Sequence, residues 1–303
     1  MVKITVSRRD FLMAAALGGG AMVLPACAAP APAAAPPQKD ETTLERIKRT
    51  GTVLVGIANE KPYGYVETDG RLVGAVPDVI FAALEPYGLK EMKAEIMEFN
   101  ALIPGINSNR LDIIGAGMYV RPARCEAISF TDPVTRAGYG FAALKGNPKG
   151  IHSTAEVSKH VDAIVGTQNG SAQVEELTKS GVPQERIVLF SNGTEALAGL
   201  KAKRVDVIYF PGLELGELLK TDNDPSVERV EPFVQNTNDK GEPEYGYSAL
   251  GLRKGDTDLK QVLDEEIAKM IASGKLLEII SKYGYGKDEL PTAKDTAERL
   301  CKA

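Results

Sequence analysis

Five side chains in this sequence are suited to hold one small solute. Tyr63, Phe99 and Tyr119 each lie a few residues beyond the end of a short β-branched run, and Glu60 and Arg124 lie beside them. Open α/β sheets bind ligands outside the carboxyl ends of their strands. Three strand ends can therefore bring these residues to one crevice, lined by π faces with one cation-seeking and one anion-seeking group. Rings attract diffuse cations, so the crevice suits a small zwitterion whose positive charge is spread over a flat group. The competing reading is structural: each ring as core packing, Phe99 above all because Met97 and Leu102 flank it, and Arg124 in a surface ion pair.

The elements that must position these residues follow from hydrophobic periodicity. Thr52–Ile57 reads as a buried strand, Pro77–Tyr87 as a helix stopped by Gly88, and Lys93–Glu98 as a strand. Ala101–Ser108 reads as a helix and Leu111–Ala116 as a strand. This βαβαβ grammar implies a mainly parallel sheet. A second series follows, with strands predicted over Asp162–Gly166, Ile187–Phe190 and Val205–Phe210, and helices over Ser171–Ser180 and Thr194–Lys201. An apolar stripe from Leu259 to Ile271, continued by Leu276, Leu277 and Ile280 beyond Gly274, closes the chain as helix. The extended segments Ala137–Leu144 and Tyr245–Leu252 bracket the second series. Read as crossovers, they put 41–137 plus 249–303 in one lobe and 138–248 in the other, with a hinge between. Two independent domains in tandem are the alternative.

Ser7-Arg8-Arg9-Asp10-Phe11-Leu12, followed by an apolar stretch to Leu24 broken by Gly18, Gly19 and Gly20, reads as a twin-arginine-type signal over 1–27. Leu24-Pro25-Ala26-Cys27 resembles a lipobox, while Ala26-Cys27-Ala28 fits ordinary cleavage. Residues 28–40, largely Ala and Pro, form a stiff spacer. The expected location is periplasmic, with membrane attachment only through a lipid on Cys27.

There are 36 Lys+Arg against 41 Asp+Glu, net −5. Without residues 1–26, which hold Lys3, Arg8, Arg9 and Asp10, the balance is 33 against 40, net −7. No basic tract invites nucleic acid. His152 and His160 share one polar segment without partnering cysteines, so no metal site and no cofactor are expected. Cys125 and Cys301 either pair in an oxidising compartment or remain a buried thiol and a free one.

Motifs then accumulate in order. Leu44, Ile47, Gly51 and Leu54-Val55-Gly56 are followed by Gly74, Asp78, Leu102-Ile103-Pro104 and Asp112-Ile113. Ala116-Gly117-Met118, Arg124 and Phe130-Thr131-Asp132-Pro133 come next, then Gly166-Thr167-Gln168, Ser171, Val205-Asp206 and Gly274-Lys275-Leu276 to Tyr283-Gly284. The chain thereby resembles the family 3 extracellular solute-binding proteins, which capture ligands for ABC importers of polar amino acids and related compounds. The resemblance implies a two-lobed α/β fold of the type II periplasmic-binding-protein kind, a permease as partner, and a monomer that closes on its solute without catalysis. It also implies that Arg124 forks onto a ligand carboxylate.

Two departures stand out. The acid that often receives an α-ammonium after the Val-Asp pair is replaced by Ile208-Tyr209-Phe210-Pro211-Gly212, with no acid before Glu214. The threonine that often precedes the arginine by three is Arg121. Meanwhile Ala58–Gly64 and Gly117-Met118-Tyr119 resemble the ectoine/hydroxyectoine-binding members. In those, an aromatic box holds the ring of a cyclic amidinium zwitterion. That resemblance implies Tyr63, Phe99 and Tyr119 as the box, Glu60 on the ring N–H groups and Arg124 on the carboxylate. Gly117 lies within the same turn, and Thr167, Gln168 and Ser171 close from the other lobe. A binder of another polar amino acid, betaine or opine is the same-class alternative. A periplasmic dehydratase on the same fold is the other, but it needs an acid–base pair, and the adjacent Glu60 and Lys61 seldom aim at one point.

Overall fold

The β-branched runs become strands and the apolar helical stripes cover them, so the chain builds two five-stranded sheets. The computed structural model describes residues 41–238 and 241–302. The leader (1–27, with Cys27) and the spacer (28–40) lie outside those residues. No described helix is long and apolar enough to cross a membrane.

The first sheet has the order Glu91–Ile96, Thr52–Ile57, Ile113–Ile114, Gly251–Leu252, Ser129–Phe130. Gly251–Leu252 runs against its two neighbours, and the other four strands point one way. The second sheet repeats the plan as Ile187–Phe190, Val165–Gln168, Val207–Pro211, Tyr139–Leu144, Val227–Arg229, with Tyr139–Leu144 reversed. Both are mainly parallel and buried on both faces, which is why their central strands read as near-continuous apolar runs. In Val207–Pro211 the alternation is explicit. Val207 and Tyr209 join one core with Phe141, Val165 and Leu177, while Ile208 and Phe210 join another with Phe190, Leu197 and Leu200.

Thr135–Ala137 and Gly246–Ser248 pair antiparallel between the sheets. They are the two strands that connect the lobes, as the type II fold requires. The closing helix Thr257–Ser273 packs Leu259, Leu263 and Ile267 onto Val53, Val55 and Ile80 of the first sheet's core.

Two aspartates explain where strands begin. Asp112 accepts from the Leu54 amide at 2.9 Å and pairs with Arg46 at 2.5 Å. Asp206 does the same in the second lobe, accepting from the Ile164 amide at 2.8 Å. These side chains take over ladder positions. The predicted Leu111–Ala116 strand accordingly contracts to Ile113–Ile114, and the predicted Asp162–Gly166 strand moves to Val165–Gln168. Lys93–Glu98 shifts two residues earlier, to Glu91–Ile96, in register with Thr52–Ile57.

Several helices escaped sequence reading, the longest of them after the strand Val207–Pro211. Gly212–Asp222 starts directly after Pro211, whose φ of −55° suits an N-terminal boundary. Pro-Gly reads as a chain breaker, yet Pro211 is the last strand residue and the N-cap of the helix, where its missing N–H removes no intrahelical bond.

Candidate ligand-binding site

The carboxyl ends of both sheets face the same space. Beyond Thr52–Ile57 the chain turns so that Glu60 and Gly64 exchange backbone hydrogen bonds of 3.0 and 3.1 Å, which sets Glu60 and Tyr63 on one tight loop. Phe99 opens the 3-10 turn Phe99–Ala101 after Glu91–Ile96. Gly117 and Tyr119 follow Ile113–Ile114, and Tyr119 bridges to Ser248 on a connecting strand. Arg124 sits on the short helix Pro122–Ala127. From the second lobe come Gln168 at the end of Val165–Gln168, and Ser171 at the N-cap of Ala172–Lys179. Glu214 enters from the first turn of Gly212–Asp222.

Glu60, Tyr63, Phe99, Gly117, Tyr119, Arg124, Gln168 and Ser171 all line one inner cavity of about 30 Å³, together with Phe210, Pro211 and Glu214. That volume admits one or two waters, so any ring-sized solute enters only as the lobes part. An outer cleft of about 770 Å³ adjoins it, and Glu60, Phe99 and Glu214 line both. The lobes are latched across the site: Gln168 Nε2 donates to Glu60 Oε1 at 2.5 Å, and Arg124 Nη2 donates to the Gly170 carbonyl at 2.8 Å.

The electrostatics is strongly perturbed. Burial pushes the Glu60 carboxyl up to about 7, against the opposing pull of the Gln168 hydrogen bond. Glu214, only 4% exposed, is raised well above the carboxylate range by burial and then by the Glu60 charge. Burial, followed by repulsion from Arg121, brings Arg124 down to about 10, which still leaves it charged at neutral pH. Its guanidinium stacks 5.5 Å from the Phe99 ring centre and donates to the Tyr119 carbonyl at 2.7 Å. Tyr63 and Tyr119 are each 5% exposed, and the Tyr63 hydroxyl lies close to the Tyr119 hydroxyl and the Glu214 carboxyl.

Two expectations are corrected. Thr167 does not line the cavity: strand alternation turns it opposite to Gln168, and its hydroxyl donates to the Tyr209 carbonyl at 2.9 Å. The apparent lack of an acid after Val205-Asp206 is also overturned, because Glu214 reaches the cavity from the unforeseen helix Gly212–Asp222. Its signal was a Glu three residues beyond Pro211, at helical rather than strand spacing. Arg121 turns away from the cavity and pairs with Glu176, whose carboxylate also accepts from Tyr139 at 2.5 Å and Tyr209 at 3.0 Å.

Gly117 explains how the rings fit. Its φ of +66° lies in the left-handed region, and a Cβ there would overlap the Tyr63 ring. Gly117→Ala is expected to cost about 1–2 kcal/mol from backbone handedness alone, seen as a lower melting temperature together with weakened solute binding. Unchanged melting and binding would place the Tyr63 ring elsewhere.

Residues 53–286 match the model of the bacterial extracellular solute-binding proteins, family 3. A probable amino-acid ABC transporter periplasmic-binding protein, y4tE of Sinorhizobium fredii (strain NBRC 101917 / NGR234), is 29% identical over 262 residues, 86% of each chain. The crystal structure of EhuB in complex with hydroxyectoine is similar with a TM-score of 0.77 and 33% identity, covering 87% of this chain and 99% of that one. An ancestral arginine-binding protein bound to arginine is similar with a TM-score of 0.65 and 28% identity, covering 78% and 99%.

Proposed function

This chain belongs to the bacterial extracellular solute-binding proteins, family 3, and from that premise we propose that it captures ectoine or hydroxyectoine between its lobes. At the coarser level it is the substrate-binding component of an ABC amino-acid-type importer, with a permease as its partner. The observation that carries the finer reading is the joint lining of one cavity by Tyr63, Phe99, Tyr119, Glu60 and Arg124. Three ring faces favour a delocalised amidinium at roughly 0.5–2 kcal/mol each, non-additively. Glu60 accepts its N–H groups, and the remaining donors of Arg124 take the carboxylate. The hydroxyectoine complex of EhuB, at 33% identity, supports this choice of solute.

On this reading lobe one comprises 41–137 plus 249–303 and lobe two 138–248, which part to admit the solute. A twin-arginine-type signal delivers the chain to the periplasm, with Cys27 as its lipid anchor.

A second reading draws on Glu214. A buried carboxylate in the cavity can receive an α-ammonium, which would admit a polar amino acid. Calorimetry separates the two: ectoine is expected to bind tightly, and arginine and other standard amino acids weakly. The reverse ranking replaces the proposal with the amino-acid reading, and turnover of a prephenate-type substrate would replace it with a dehydratase.

A further inference from the structure

The inner cavity contains a feature that an aromatic box with one acid and one arginine does not need. Glu60 reaches it from the first lobe and Glu214 from the second, and neither has an ion-pair partner among the described residues. The groups around them are neutral or already engaged. Glu60 faces the Gln168 amide, and the ammonium of its neighbour Lys61 sits instead 4.9 Å from the Tyr65 ring centre. Glu214 lies among the phenols of Tyr63, Tyr119 and Tyr285, and its Oε1 lies close against Gly193, within 3.2 Å of where a Cβ would stand. Glu217, one turn on, faces the outer cleft. Arg124 lines the cavity but donates to the Tyr119 and Gly170 carbonyls.

We infer that Glu60 and Glu214 act as one carboxylate pair, closed together by the two lobes, which holds a single proton and receives the solute's cationic group. Two desolvated carboxylates facing one chamber cannot both stay ionised without a cation between them. The raised titration of both groups agrees with this geometry. The charge balance then sets specificity. Two carboxylates and Arg124 leave the site at −1. A zwitterion adds nothing to that balance, so closing around it retains the proton. A solute with one extra positive charge closes without it. In this account the lobes bring the two acids together before any solute arrives, and binding exchanges the shared proton only for a solute that carries an extra positive charge.

The inference deepens the ectoine reading for its ligand arm, and its first arm needs no ligand. In the ligand-free protein, carbon-13 detection of glutamate carboxyls is expected to show one titration near pH 7, removed by Glu60→Gln and by Glu214→Gln. If every glutamate titrates below about pH 5.5, the pair is refuted, whatever the solute. In the second arm, calorimetry with ectoine is expected to show affinity falling about tenfold between pH 6.5 and 8.5, because the unliganded acids release the proton that the complex keeps. Glu214→Gln should make that affinity independent of pH. Tight ectoine binding without pH dependence in the wild type overturns the pair and leaves the ectoine reading standing. A neutral-range titration with no ectoine binding does the opposite: it keeps the pair and rejects ectoine.

Discussion

Reduction of the Cys125–Cys301 bond is expected to lower stability by about 3–5 kcal/mol. The bond closes a loop with a sequence separation of 176 residues, and a cross-link of that span removes much of the unfolded chain's entropy. The chain-entropy relation gives about 5 kcal/mol for such a loop, with typical measured values of 2–4. For a chain of this size that corresponds to a melting temperature lower by on the order of 10 °C. The bond fastens the helix Pro122–Ala127 to the C-terminal helix Ala297–Leu300, and Arg124 is the next residue to the cysteine. A six-residue helix without a side-chain cap has little stability of its own, so reduction should weaken solute binding as well. Melting curves with and without reductant, and of the Cys125→Ser, Cys301→Ser double variant, provide the measurement. Identical curves after confirmed reduction would show that the bond contributes nothing.

Arg124→Ala should lower ectoine affinity by at least a hundredfold, about 2.7 kcal/mol. A carboxylate held by a buried guanidinium gains about 1.5–3 kcal/mol from charged hydrogen bonds. Removal of the guanidinium also leaves that carboxylate desolvated and unpaired, a loss of roughly 2–5 kcal/mol for buried charge pairs. Arg124→Lys keeps a charge without the planar fork and should fall between. Arg124 also ties the lobes through the Gly170 carbonyl, so the two roles need separating. An ectoine analogue lacking the carboxylate does this: wild type and Arg124→Ala should bind it within a few fold of each other. An equal hundredfold loss for that analogue would reduce Arg124 to a latch.

Much of the lining of the candidate site was readable in advance because the strand ends carry it. Glu60, Tyr63, Phe99, Tyr119 and Arg124 lie next to runs whose β-branched composition marks them as buried strands, and the carboxyl ends of such strands gather by topology. Phe99 shows that core packing and cavity lining need not compete. It packs with Leu102 and Ile106 in the core while also lining the cavity beneath the Arg124 guanidinium. The misses share a different character. Glu214 rides on a helix that begins at a Pro-Gly pair, Thr167 differs from Gln168 only by the parity of a strand, and Arg121 leaves the site for Glu176.

Local pattern therefore settled the alternation of strands and helices, the doubled plan of the chain and the first lobe's share of the cavity, since each depends on residues near one another in sequence. Folding in three dimensions decided the rest. Gln168 meets Glu60 across 108 positions and Glu176 captures Arg121 only because two separately built sheets close on each other, while Cys125 finds Cys301 because the end of the chain returns to the first sheet. Contacts of that kind depend on where whole lobes come to rest, and no periodicity along the chain encodes that position.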